Sequence, residues 1–329
     1  MMMLLNRKTL AFCTAVYLGL FGLAHAGVAD TFPNRPIRLV CPFTPGGAVD
    51  IASRAIALEL SKNLGQPVTV DNRPGAGGNI GGSEVAHAAA DGYTIMLTTS
   101  GIQAINPALY TKMPFNPSKD FAPIGTIVSM NNVLVVPVNS KIHSVPELIA
   151  MAKAAPGELN YASSGSGTSI HMSGEMFKSL AKVDLVHIPY KGSSPALTDL
   201  MGGQVMMMFD NIPSSMPFIK SGKLRAIATT GAKRDPFLPD LPTMAETGVA
   251  GYESGVWFGL VAPSGTPKEI ITKLNTEMLK GLKSPDFVRR MNESGYIVSG
   301  STPEQMAELD KMDVPRWGAI VKASGARAD

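Results

Sequence analysis

A strand, a glycine-rich turn and a helix follow one another early in the sequence. The run Ile37 to Cys41 is compact and apolar, which predicts a buried strand. Apolar residues then recur near the 3.6-residue period between Ile51 and Leu64, which predicts a helix. The turn between them contains two prolines and two glycines. Backbone N–H groups at such a helix start favour an anion, although an ordinary strand-to-helix turn has the same composition.

The same order of strand, small-residue loop and helix recurs along the 329 residues, which favours mostly parallel sheets in a chain long enough for two domains. Two longer apolar runs, Ile124 to Pro137 and Gly251 to Ala262, are interpreted as strands that cross between these domains. The sequence therefore predicts an α/β fold of two domains joined by two crossing strands. The first domain is expected to contain residues 27–126 plus 254–329, and the second residues 127–253. A ligand cleft is expected between them.

The first 26 residues have the form of a cleaved signal peptide. Arg7 and Lys8 precede an apolar run from Leu10 to Leu23, and Ala24-His25-Ala26 has the small-x-small form of a cleavage site. The alternative is a membrane anchor, but the apolar run is shorter than the ~20 residues that a spanning helix needs. We therefore expect export to the periplasm and a mature chain that starts at Gly27.

The charge balance and the absence of several motifs argue against several classes of function. The chain has 29 basic and 26 acidic residues and no dense basic block, so nucleic-acid binding has little support. Removal of the signal peptide leaves Cys41 as the single cysteine, so no intramolecular disulfide can form. The sequence lacks a dinucleotide fingerprint, a phosphate-binding loop with its lysine, a nucleophile elbow and zinc-binding motifs. No cofactor and no metal are predicted.

The loops that follow the predicted strands share glycines, hydroxyls and amides, with few charges. In α/β sheets the ligand crevice lies at the carboxyl ends of the strands, so we expect these loops to hold the ligand. The N–H groups of Gly46, Gly47, Gly165 and Gly167 are expected to point into one cleft. The predicted ligand-binding residues are Phe43, Thr44, Pro45, Gly46, Gly47, Asn72, Thr99, Ser100, Ser164, Gly165, Ser166, Gly167, Thr168, His171, Tyr190, Lys191, Gly192, Asp210 and Asn211.

Two of these residues have two interpretations each. His171 lies one helical turn after a Ser/Gly loop, where it could contact the ligand or brace its own loop. Asp210 ends a predicted strand, where it could accept a hydrogen bond from the ligand or cap a turn. His87, His143 and His187 are scattered without the spacing of metal ligands.

Eight motifs together resemble the Bug family of periplasmic solute-binding proteins, the TctC-like receptor components of tripartite tricarboxylate transporters. They cover essentially the whole mature chain: Phe32 to Arg38, Pro45 to Asp50, Val70 to Gly81, Ala90 to Thr94, Asn106 to Tyr110, Asp120 to Ile124, Tyr161 to His171 and Val186 to Gly192.

The resemblance implies a type II-like periplasmic-binding-protein fold whose two lobes close on a small carboxylate. It implies that the loop Phe43 to Gly47 holds one carboxylate and that Ser164 to Thr168 contributes donors from the other lobe. It also implies transmembrane permease subunits as partners, and we expect a monomer. The family's ligands include di- and tricarboxylates, acidic amino acids and aromatic acids, so the acid itself is not encoded. Two alternatives remain: a two-lobed hydrolase or isomerase acting on a small acid, and a ligand sensor for a membrane signalling partner.

Overall fold

The computed structural model describes residues 32–328, so the predicted signal peptide and its cleavage site lie outside the described residues. Strands and helices alternate as the sequence pattern predicts. The strands are β1 (Ile37–Cys41), β2 (Val68–Asn72), β3 (Thr94–Thr99), β4 (Phe121–Pro137), β5 (Asn160–Ser163), β6 (Val186–Pro189), β7 (Met207–Asn211), β8 (Leu224–Thr229), β9 (Gly255–Pro263) and β10 (Ile297–Val298).

The α-helices are α1 (Ala48–Leu64), α2 (Asn79–Ala86), α3 (Asn106–Leu109), α4 (Pro117–Asp120), α5 (Val145–Ala154), α6 (Ser169–Ala181), α7 (Ser193–Met201), α8 (Ile212–Lys220), α9 (Lys268–Leu282), α10 (Pro285–Ser294) and α11 (Pro303–Ser324). A short 3-10 helix (Ala76–Gly78) precedes α2, and a π-helix (Gly101–Ile105) leads into α3. Within residues 32–328, no helix is both long enough and apolar enough to cross a membrane.

The strands follow the order β2-β1-β3-β9-β4-β7-β5-β6, with β8 and β10 also pairing with β4. Strand β1 runs parallel to β2 and β3, and β5 runs parallel to β6 and β7. The two long strands are antiparallel to their neighbours: β9 pairs with β3 and β4, and β4 pairs with β7 and β8. Each half is therefore a parallel α/β unit, and the antiparallel pairing is concentrated where the halves join.

Strand β4 takes part in both halves. Its residues up to Asn131 pair with β9, and its residues from Asn132 onward pair with β7 and β8. We call β1–β3, β9, β10, α1–α4 and α9–α11 the first lobe, and β5–β8 with α5–α8 the second lobe. The hydrophobic core divides in the same way: one buried cluster contains Leu39 and Phe258, and a separate one contains Phe209. The exact domain boundaries at residues 126 and 254 stay a prediction.

The sequence pattern did not predict α8 and α10. Both begin with a proline in the first turn, where the missing N–H would have no partner inside the helix. Pro217 also lies inside α8, and because proline has the lowest helix propensity, the local sequence does not predict a helix there. Helix α8 nevertheless buries Ile212 and Met216 against the second-lobe sheet, and this tertiary packing outweighs the low local propensity.

Candidate ligand-binding cleft

A small cavity lies between the lobes at the carboxyl ends of the strands. The first lobe lines it with Phe43, Gly47, Ala48, Val49, Thr99, Val256 and Phe258, and the second lobe with Ser164, Thr168, Ser169, Ser193 and Asn211. The cavity offers about 20 Å³ to the centres of water molecules. That is room for roughly one water, so the lobes stand nearly closed over it.

Helix N-termini from both lobes open into this cavity. Ala48, Ser169 and Ser193 are the first residues of α1, α6 and α7, and all three line it. Asn211, which precedes α8, lines it as well. The residues before α1 and α7 are glycines, so no side chain caps these two helix starts. The first N–H groups of these helices have no partner inside their helix, and three helix dipoles present the same sign to one cavity, which favours an anion.

The remaining lining is neutral. Hydroxyl groups come from Thr99, Ser164, Thr168, Ser169 and Ser193, and none of the described lining residues carries a charge. The rings of Phe43 and Phe258 and the side chain of Val256 supply an apolar wall. Such a cavity suits a ligand with an anionic group for the helix starts and a short apolar body for the wall.

The first-lobe loop is held by residues that do not line the cavity. Asn72 Nδ2 donates to the carbonyl of Phe43 and to Asp50 Oδ1, each at 2.9 Å. Burial alone would raise the pKa of Asp50, but hydrogen bonds from Arg54, Gly46 and Asn72 outweigh it and lower that pKa. Asp50 therefore stays ionised and fixes the turn, and Asn72 supports the loop from behind.

His171 braces its own loop in the second lobe. Its Nδ1 accepts a hydrogen bond from the Gly167 N–H at 3.3 Å, and its ring stacks on His187. His187 Nε2 in turn lies 2.6 Å from Ser163 Oγ. Burial lowers the pKa of His171 to about 4 and that of His187 to about 3, so both rings are neutral. Of the two interpretations of His171, this contact corresponds to the bracing one.

Asp210 likewise supports a residue of the cavity lining without lining the cavity itself. It is fully buried and accepts hydrogen bonds from Ser193 Oγ at 2.6 Å, from Ser215 Oγ at 2.7 Å and from Ser214 Oγ. Burial raises its pKa, although these hydroxyls counteract that effect. The carboxylate thus ties the first residue of α7 to the first turn of α8, and it is Ser193 rather than Asp210 that reaches the cavity wall.

The other predicted residues surround the cavity without lining it. Tyr190 Oη donates to Asp199 Oδ2, and Lys191 and Pro45 are exposed. Thr44 contacts Gly192 of the other lobe. Thr44 Oγ1 and Ser100 Oγ are both buried and find no hydrogen-bond partner between residues 32 and 328. Gly165, Ser166 and Gly167 face the first lobe.

The prediction that glycine N–H groups point into the cleft is wrong for Gly46, Gly165 and Gly167. The Gly46 N–H donates to Asp50 Oδ2 at 3.0 Å, the Gly165 N–H to Ser163 Oγ, and the Gly167 N–H to His171. The loops satisfy these three N–H groups internally, and the helix starts that line the cavity lie beyond them, at Ala48 and Ser169.

Sequence reasoning missed Ala48, Val49, Ser169, Ser193, Val256 and Phe258. The first four follow predicted loops directly and could have been included as first-turn residues. Val256 and Phe258 are two positions apart on β9, so their side chains share one face of the strand. The sequence pattern had interpreted this strand as a connection between domains and not as part of the ligand site.

Comparison with known proteins identifies the family. The family described as tripartite tricarboxylate transporter family receptor (TctC) matches residues 52–326. The chain belongs to this family. BugT of Bordetella pertussis is 36% identical over 324 residues, covering 98% of this chain and 99% of that protein.

Two solved structures of TctC-type proteins are also similar to the chain. An R. palustris protein solved with adipate is 42% identical with a TM-score of 0.88, covering 90% of this chain and 100% of that one. MatC from Rhodopseudomonas palustris, solved with bound malate, is 35% identical with a TM-score of 0.85, covering 88% of this chain and 100% of that one.

These relatives confirm the predicted fold class and the resemblance to the Bug family. This TctC receptor has the two-lobed periplasmic-binding-protein fold. Receptors of this family are periplasmic solute-binding proteins, which are not a class of enzyme.

Proposed function

We propose that this TctC receptor captures a small carboxylate between its lobes and delivers it to the permease subunits of a tripartite tricarboxylate-type transporter. One observation carries the proposal: helix N-termini from both lobes open into a single cavity whose described lining has no charged side chain. An anionic ligand supplies the negative charge that the positive ends of these helix dipoles favour and that no side chain of the described lining provides. The adipate and malate held by two relatives support carboxylates as the ligand class.

The ligand-binding residues form an inner and an outer group. Phe43, Gly47, Thr99, Ser164, Thr168 and Asn211, together with the missed lining residues, contact the acid. The other predicted residues, among them Asn72, His171 and Asp210, hold the contacting residues in place. The receptor acts as a monomer in the periplasm and returns its ligand unchanged. N-terminal sequencing of exported protein is expected to read Gly-Val-Ala-Asp.

The two lobes are proposed to move as rigid bodies with the boundaries expected from the sequence. Residues 27–126 plus 254–329 form one body, and residues 127–253 the other. The change of pairing partners along β4 supports this division. Crystal structures that capture the lobes at different degrees of closure are expected to superpose within each range and to differ in the orientation of one range relative to the other.

A thermal-shift panel tests the function. A ligand that binds only the folded receptor stabilises it by about 2.7 kcal/mol at a hundredfold excess over Kd. We expect at least one acid among dicarboxylates, tricarboxylates, acidic amino acids and aromatic acids to raise the melting temperature, and its amide to do so far less. After long incubation the acid should be recovered intact. A panel in which only sugars or cations stabilise the protein contradicts the proposal, and consumption of the acid favours the hydrolase or isomerase.

A further inference from the structure

The lobes also contact each other outside the cavity, where Tyr110 meets the loop before α6. Tyr110, in the first lobe, donates a hydrogen bond from Oη to the carbonyl of Ser166 in the second lobe at 3.0 Å. Neither residue lines the cavity. This bond therefore depends on closure of the lobes but involves no ligand-contacting residue.

Asn106 joins the first-lobe side of this contact into one unit. It is fully buried, and its Nδ2 donates to the Gly77 carbonyl at 3.1 Å and to Asn79 Oδ1 at 2.7 Å. Its Oδ1 finds no partner in the described part of the chain and faces Gly167, where an added Cβ would overlap it. Asn106 thus ties the 3-10 helix to α3 and presents its own surface to the second-lobe loop.

The two backbones come close enough to require glycine. A Cβ on Gly77 would overlap the Ser166 carbonyl oxygen, and one on Gly101 would lie 2.9 Å from the Gly167 carbonyl oxygen. Cβ atoms essentially never approach a backbone oxygen this closely, so any side chain at Gly77 pushes the lobes apart. The surfaces of the two lobes are therefore closely complementary in shape at this contact.

We infer that Tyr110, Asn106 and Gly77 form an interlobe latch that sets ligand affinity by holding the closed state without touching the ligand. A ligand that binds the closed state has an apparent affinity in proportion to the closed fraction. Contacts that exist only after closure therefore slow ligand release and leave the encounter step unchanged. The effect on affinity rests on the proposed function, whereas the effect on closure does not.

Two tyrosine variants test the hydrogen bond. Tyr110→Phe removes only the hydroxyl, and we expect the dissociation rate of adipate or malate, whichever stabilises the wild type more, to rise roughly two- to tenfold at constant association rate. Tyr93→Phe is the matched control, because within residues 32–328 the hydrogen-bond partner of Tyr93 Oη is Asn34 of the same lobe. Its rates should equal those of the wild type. Equal dissociation rates for both variants would count against the latch.

A glycine pair tests closure itself without any ligand. Gly77 and Gly65 both have left-handed backbones, with φ of 60° and 69°, so alanine is similarly strained at each. Only Gly77 faces the other lobe, since a Cβ on Gly65 meets nothing within 4 Å. Small-angle X-ray scattering should show a larger radius of gyration for Gly77→Ala than for Gly65→Ala and the wild type.

The two arms separate failure of the latch from failure of the proposed function. Identical scattering profiles for Gly77→Ala and Gly65→Ala overturn the latch, whether or not an acid binds. An expanded Gly77→Ala in a protein that no acid stabilises supports the latch and refutes the proposed carboxylate receptor.

Discussion

The rings of His171 and His187 stack with their centroids 4.1 Å apart, and each ring holds one end of the loop that the second lobe presents to the cavity. His187 contacts Ser163 at the start of this loop, and His171 accepts from Gly167 near its end. Burial disfavours a charge on either ring, and a charge on one ring further disfavours a charge on the other, so the pair couples the loop to pH.

Stability is therefore expected to fall in acid. Burial lowers the pKa of His171 from 6.5 to about 4, so below pH 6.5 the unfolded chain binds more protons than the folded one. The free energy of unfolding therefore decreases as pH falls from 6.5 towards 4. At pH 5 this group alone lowers it by roughly 2 kcal/mol relative to neutral pH. Urea denaturation at pH 7 and pH 5 should show a smaller decrease for His171→Gln than for the wild type. His143→Gln, at an exposed position, should behave as wild type. An undiminished decrease in His171→Gln would contradict the coupling.

A methyl group at Gly192 should prevent closure. The backbone there is extended, with φ of 171°, so alanine introduces no strain of its own. Its Cβ would overlap Thr44 Oγ1 on the other lobe. Calorimetry with a stabilising acid should show affinity at least tenfold weaker for Gly192→Ala, with a nearly unchanged free energy of unfolding.

The second-site change Thr44→Gly tests this steric explanation. It removes the overlapping hydroxyl and should restore part of the affinity in the Gly192→Ala background. Full affinity in the single variant would show that the Thr44–Gly192 contact does not limit closure.

Proline at Ala48 should remove one anion donor without breaking the helix. Ala48 is the first residue of α1, where proline is tolerated, and Gly47 before it is already extended, with φ of −82° and ψ of 170°. We expect acid binding to weaken at least tenfold in Ala48→Pro while far-UV circular dichroism stays unchanged. Lys268→Pro makes the same change at the start of α9, where no lining residue lies, and should leave affinity intact. Equal affinities in the two variants would remove α1 from the anion site.

Asp310→Asn should stabilise the receptor at alkaline pH. One carboxylate oxygen of Asp310 is buried and has no hydrogen-bond partner among the described residues. Burial and the nearby Asp313 raise the pKa of Asp310 from 3.8 to about 7. The folded protein therefore resists ionisation, and its free energy of unfolding decreases as pH rises from about 4 to 7.

At pH 8 we expect Asp310→Asn to be more stable than the wild type by about 4 kcal/mol, and at pH 4 nearly equal to it. Thermal denaturation at both values measures the difference. Asp240→Asn, at an exposed position, should change neither value. A loss of stability at pH 8 in Asp310→Asn would show that the carboxylate has a favourable partner.

The sequence by itself determined most of the order of elements, though not α8 and α10, and it determined the family. Alternating strand and helix periods are local, so β1 and α6 could be predicted to within a residue or two, and the glycine-rich turns marked where the cleft would lie. The motifs that resemble the Bug family predicted the two lobes and the carboxylate class.

Only the tertiary structure decided which donors are free and which predicted residues reach the cavity. His171 follows the loop that it braces, but its role depends on His187, sixteen positions later in the chain and on another element. Asp210 supports Ser193 because α7 and α8 begin side by side. A loop's N–H group is available to a ligand only when no side chain of the fold has already accepted it. The acceptors of the three glycine N–H groups lie within four residues of them, at Asp50, Ser163 and His171. Asn72 and His187 hold these acceptors in place from distant positions, so local patterns cannot specify the arrangement.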